Sequence, residues 1–122
     1  MTRKKVLLLC LYILSSRIMA GEADVVAVNT QQAENGSWSF QVTLKHADTS
    51  WKHYADHWEI LSAAGEILAT RILAHPHINE QPFTRSLSGI NIPDKLESII
   101  IRAHDKVHGY GGKQISLPWP PS

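Results

Sequence analysis

From Ser37 to His46 bulky apolar and polar residues alternate without a break. Trp38, Phe40, Val42 and Leu44 fall on one side, and Ser39, Gln41, Thr43 and Lys45 on the other. Period two is the mark of a half-buried β-strand, with alternate side chains on opposite faces. The flanking segments repeat the theme. Ala23 to Gln32 is β-rich, Glu66 to Ala74 and Phe83 to Ile92 read as strands, Leu96 to Ala103 is an Ile-rich strand of the doubly buried kind, and Lys113 to Leu117 is short and extended. Asn35-Gly36, Ser62 to Gly65 and Pro93-Asp94 supply turns between them. No segment carries a convincing helical period. About seven short strands with turns every 8–12 residues predict an all-β fold: an immunoglobulin-like or fibronectin-III-like antiparallel β-sandwich. Arg71 and Arg85, each inside a strand, belong on an outer face or a sheet edge.

The first 20 residues have a different character. Thr2-Arg3-Lys4-Lys5 is basic, Val6 to Leu14 is apolar, and small and polar residues lead to Met19-Ala20. This is the three-part pattern of a secretory signal peptide, with cleavage expected after Ala20 or after Ala23. The expected organisation is a signal over residues 1–20 and a single β-sandwich domain over 21–122. Cleavage would remove Arg3, Lys4, Lys5 and Arg17 but none of the eleven acids, leaving a net charge of −3. A mildly acidic domain has no electrostatic footprint for nucleic acid. The signal also carries Cys10, the one cysteine, so the domain must be held by its core rather than by disulfides. The expected location is periplasmic or secreted, with no membrane span once the signal is removed.

The stretch Trp51 to Ile60, WKHYADHWEI, is the densest in potential chemistry. Read as a strand, it places Tyr54, Asp56, Trp58 and Ile60 on one face and His53, Ala55, His57 and Glu59 on the other. In sandwich order, His46 ends the second strand and His53 starts the third. His75 and His77 follow the fourth, and His104 and His108 follow the sixth. All seven histidines therefore gather towards one end, while the turns at the other end carry none. Neutral imidazole is the commonest protein ligand for metals. His53 and His57 would lie ~13 Å apart on an extended strand, too far to share an ion. Cross-strand partners such as His53 with His104 or His108 are the natural ligands. His75 with His77, His46, and the acid Asp105 complete the candidate set. Without thiolate or thioether the site suits copper(II), zinc, nickel or iron(II), with copper or zinc favoured. The bland alternative is that these histidines only cap loops or bond to backbone.

Other residues carry less. Trp38 and Trp58 read as core aromatics. Trp51 and Trp119 read as exposed contact residues for a sugar or a partner. Thr84, Ser86 and Ser88 lack the neighbours of a catalytic triad.

Two short stretches resemble superoxide reductases of the desulfoferrodoxin type. The carriers are His46, His53-Tyr54, Trp58-Glu59-Ile60 and Asp105-Lys106-Val107-His108-Gly109. That family has an immunoglobulin-like domain whose iron is bound by four histidines and a cysteine. The resemblance implies His46, His53 and His108 as ligands, with Asp105 standing where the cysteine would be. The segments HYADHWEIL, HPH, EQPFTRSLSGI and HGYGG also resemble small exported bacterial β-sandwich proteins of uncharacterised function. Three functions follow as expectations. The first is an exported domain binding a divalent transition metal through loop-end histidines. The second is a non-enzymatic immunoglobulin-like module that uses the same loops for a periplasmic protein partner. The third is a superoxide-reductase-like iron protein.

Overall fold

The computed structural model describes residues 21–121; the expected signal peptide lies outside them. Among the described residues the chain forms seven strands and no α-helix: β1 (Asp24–Gln32), β2 (Trp38–Lys45), β3 (Ala55–Ser62), β4 (Ile67–Ile72), β5 (Phe83–Ile90), β6 (Ser98–Asp105) and β7 (Ile115–Pro118). One sheet has the order β1-β2-β5 and the other β4-β3-β6-β7, with every pairing antiparallel. This is the expected seven-stranded β-sandwich.

The alternation in β2 converts directly into packing. Trp38, Phe40, Val42 and Leu44 are buried, and they meet Trp58, Ile60, Ile99, Ile101 and Ala103 of the opposing sheet. Burying a large apolar side chain contributes roughly 1.5–3 kcal/mol, so these facing rows are the main stabilising element. Trp119 belongs here too. It was expected to be exposed, but it is 5% accessible and packs against Trp38, at 4.6 Å between ring centroids, and Phe40. Its backbone N–H donates to Glu97 O at 2.9 Å, carrying the β6–β7 pairing one residue past β7 and turning the indole into the core. Arg71 and Arg85 lie on the edge strands β4 and β5, as expected, and Arg71 Nε donates to the Ser86 carbonyl across the gap between the sheets.

The turns at one end close as the sequence suggests. Gly36 and Gly65 take φ near +90°, a region that other residues rarely enter. Gly65 N–H then donates to Ser62 O to close the β3–β4 hairpin.

Two elements differ from expectation, and both differences place functional side chains. The first is β3. It starts at Ala55 rather than Trp51, and its pairing with β6 shifts register between Ala55 and His57. Asp56 is the extra residue of this bulge. A bulge resets the period-two phase. Ala55 therefore turns into the core with Trp58, and Asp56 lies outside with His57, reversing the expected faces of Ala55 and Asp56. The second is β6. It continues two residues past Ala103, and it is half-buried rather than doubly buried. Ile99, Ile101, Ala103 and Asp105 point inward, and Ile100, Arg102 and His104 are only partly covered. His104 is thus a strand residue and not a loop residue.

Candidate metal centre

β2 ends, β3 begins, β4 ends and β6 ends at the same pole of the sandwich, because Ala55 pairs with Asp105 and His57 with both Ile72 and His104. The loops bearing His46, His53, His75, His77 and His108 leave from this pole. The side chains do not form one cluster. They separate into an inner pocket, an outer cluster and a third pair.

The inner pocket is built on Asp105, the last residue of β6, which is fully buried. Its backbone exchanges two hydrogen bonds with Gly109, each 3.1 Å, and Gly109 has φ +68°. Within this closed turn Asp105 Oδ1 accepts from the backbone N–H of Val107 (2.8 Å) and of His108 (2.6 Å). The turn carries the His108 ring back over the carboxylate, with Nδ1 at 3.3 Å from Oδ1. His46 and His53 approach from the loop between β2 and β3. His46 Nε2 lies 3.7 Å from Asp105 Oδ2 and 3.2 Å from His53 Nε2, and His53 Nε2 is 3.5 Å from Asp105 Oδ1. One ligand atom from each of His46, His53 and Asp105 falls within 4.8 Å of the others. The rings of His53 and His108 are 5.1 Å apart between centroids, so His108 borders the same space.

Asp48 orients this pocket. Its Oδ1 accepts from His46 Nδ1 and from Ala55 N–H, and its Oδ2 accepts from His77 N–H at 2.7 Å. With Nδ1 turned to Asp48, His46 directs Nε2 to the centre of the pocket. A carboxylate behind an imidazole is the usual way a metal-binding histidine is held in one tautomer. Gly21 closes the other side. Its carbonyl is 3.1 Å from His46 Nε2, and a Cβ at Gly21 would meet His108 Cε1 at 2.6 Å. Any residue larger than glycine would displace the His108 ring.

Asp105 Oδ2 is buried and has no hydrogen-bond partner among the described residues. Burial works to raise the Asp105 pKa, but the N–H groups of His108 and Val107 and the charges of His46 and His108 outweigh it. The carboxyl is held below its ordinary range and stays ionised. The His46 and Asp105 side chains are sealed from solvent, while His53 and His108 are about a quarter and a third exposed.

His104 does not join His53 and His108. One residue before Asp105, it points to the opposite face of the β3–β6 pair. There it meets Asp56 (His104 Nδ1 to Oδ1, 2.6 Å) and stacks on His57 at 4.6 Å. Burial lowers the His57 pKa against the opposing pull of Asp56. His75 and His77 form the third pair, 4.7 Å between centroids, and His77 is joined to the inner pocket through its backbone N–H bond to Asp48. The His75 ring donates to Pro76 O, and His77 stacks flat on Phe83 at 4.0 Å. Both ring nitrogens of His77 are buried without a hydrogen-bond partner among the described residues.

Sequence reasoning missed Asp48, Gly21, Asp56 and His57 as site residues. The spacing His46-Ala47-Asp48 was a usable signal, since a short loop can return an acid to its own histidine. The bulge that exposes Asp56 beside His57 left none.

Comparisons with known proteins add one relative. A protein of Halomicrobium mukohataei named "Putative lipoprotein" is 40% identical over 99 residues, which is 81% of this chain and 48% of the relative. The chain thus spans about half the length of the relative it matches. No protein-family model matches the chain, and no solved structure matches it. None of these comparisons links the chain to superoxide reductases. Among the described residues no helix is long and apolar enough to cross a membrane.

Proposed function

We propose that this is an exported domain that binds a divalent transition-metal ion, copper or zinc, in the inner pocket. His46, His53 and Asp105 are the ligands, with His108 as the fourth. The observation that carries this reading is the buried, ionised Asp105 carboxylate: Oδ2 has no hydrogen-bond donor among the described residues and lies 3.7 Å from His46 Nε2, while Oδ1 is 3.5 Å from His53 Nε2. Leaving such an oxygen unpaired costs about 1–3 kcal/mol or more, which a cation at that point would recover. Three imidazoles and one carboxylate, without sulfur, suit borderline cations rather than copper(I). Asp48 behind His46 is the supporting contact such a site needs. The basic-apolar-small pattern of residues 1–20 and the relative's name, "Putative lipoprotein", both support export.

A titration of the purified protein with copper(II) and zinc tests this. Binding with Kd below ~10 μM at pH 7 is expected, corresponding to more than about 7 kcal/mol. It weakens at pH 5 because the ligands must be deprotonated. No binding of either ion at that level would remove the proposal. A second reading is a partner-binding surface without metal. It is favoured by Trp51 and Val107, 64% and 59% exposed, each two residues or fewer from a pocket histidine. A protein that binds no metal but loses a partner on Trp51→Ala substitution would establish that reading instead.

A further inference from the structure

We propose a second, more open site for a divalent transition cation on the opposite face of the same strand pair, formed by Asp56, His57 and His104. It rests on observations separate from those of the inner pocket. The bulge in β3 sets Asp56 and His57 side by side on the outer face, and the register brings His104 directly across from His57. Both imidazoles turn the same nitrogen to one oxygen: Asp56 Oδ1 is 2.6 Å from His104 Nδ1 and 3.4 Å from His57 Nδ1. The three ligand atoms lie within 4.8 Å of one another. Zinc–nitrogen bonds are ~2.0–2.1 Å, so ligand atoms around one ion sit ~3–4 Å apart. Small side-chain rotations would close this group on an ion.

The surroundings hold the group in place. His57 Nε2 is 3.0 Å from the Tyr110 hydroxyl. If His57 donates Nε2–H to that oxygen, its Nδ1 lone pair is left facing Asp56, as a metal-binding histidine requires. Tyr110 is in turn pinned by the Arg102 guanidinium, 3.8 Å above its ring, and Arg102 is anchored at 2.7 Å by the buried Glu59. A chance surface pairing of one acid with one histidine would not need this chain of support. The ligand side chains are 17–26% exposed, whereas His46 and Asp105 are sealed. The outer site should therefore bind more weakly and exchange faster than the inner one. His104 and Asp105 are neighbours in sequence, so a single strand end serves both sites.

Native mass spectrometry with zinc(II) separates the two sites. The whole protein is compared with His57→Gln, His104→Gln and Asp56→Asn on one side and His53→Gln and Asp105→Asn on the other. Far-UV circular dichroism of each variant establishes that the fold is kept. Two ions per chain are expected, falling to one in every variant of either group. One ion that is lost only in the inner variants would overturn the outer site and leave the proposed function standing. One ion lost only in the outer variants would do the reverse. No ion at all would overturn both.

Discussion

The two faces of the β3–β6 pair carry the same residue types in different physical settings. Inside, Asp105 receives two backbone N–H bonds at one oxygen and none at the other, and His46 is locked by Asp48. Outside, Asp56 already receives His104, and every group reaches water. An aspartate and histidines at one pole do not by themselves define a binding site. What matters is whether the carboxylate keeps an unsatisfied oxygen where water cannot satisfy it. By that measure the inner pocket is the stronger candidate, and the comparison can be pressed by mutation.

The largest effect is expected from Asp105→Ala. Zinc affinity at the inner site should fall by more than ~100-fold, beyond the loss typical of a supporting residue. The Val107 and His108 N–H groups also lose their acceptor, so stability should drop by about 1–3 kcal/mol in a urea titration. Asp105→Asn, which keeps an acceptor for those donors, should recover much of the stability but not the affinity. Next is Asp48→Ala, which removes the contact behind His46. Inner-site affinity should fall by ~10–100-fold while the outer site is unchanged. An equal loss at both sites would mean that Asp48 acts only through the fold. Third, Tyr110→Phe should weaken the outer site alone, by about tenfold, at the low end for a supporting contact.

The smallest effect concerns pH. Burial lowers the His77 pKa below the ordinary 6.5, and the Arg85 and His75 charges add to this. The unfolded chain therefore takes up a proton more readily than the folded one. The stability from neutral His77 is present above the unfolded value and is lost as pH falls towards the folded one. His57, lowered likewise, acts in the same direction. Metal-free protein should lose stability between pH 7 and pH 5, and His77→Phe should make that loss shallower in thermal melts. An unchanged slope would show that His77 is not held neutral.

Much of this was legible in the chain. The alternation from Trp38 to Leu44 gave β2 and its buried face directly, because period two has one structural solution. The turn signals at Asn35-Gly36 and Ser62 to Gly65 placed the far end of the sandwich. Asp105 and His108 were legible as candidate ligands through the resemblance of the Asp105-Lys106-Val107-His108-Gly109 run to the superoxide-reductase motif. The split of the histidines into separate groups was not. The bulge at Asp56 shifts phase by one residue, and no local composition marks it. His104 was assigned to a loop because the apolar run stops at Ala103, yet its strand pairing comes from His57 on β3. Trp119 follows a proline and looks like a tail residue. Its burial comes from its bond to Glu97 beside β6 and from Trp38 and Phe40 of the opposing sheet, neighbours that only the assembled sheets supply.

The central claim is best tested by anomalous diffraction from crystals of the protein grown with copper(II) or zinc. The account predicts a peak bonded to His46 Nε2, His53 Nε2 and Asp105 at about 2.0–2.2 Å from each. A structure at full metal occupancy with no peak in that pocket, or with ions only on His75 and His77, would contradict it.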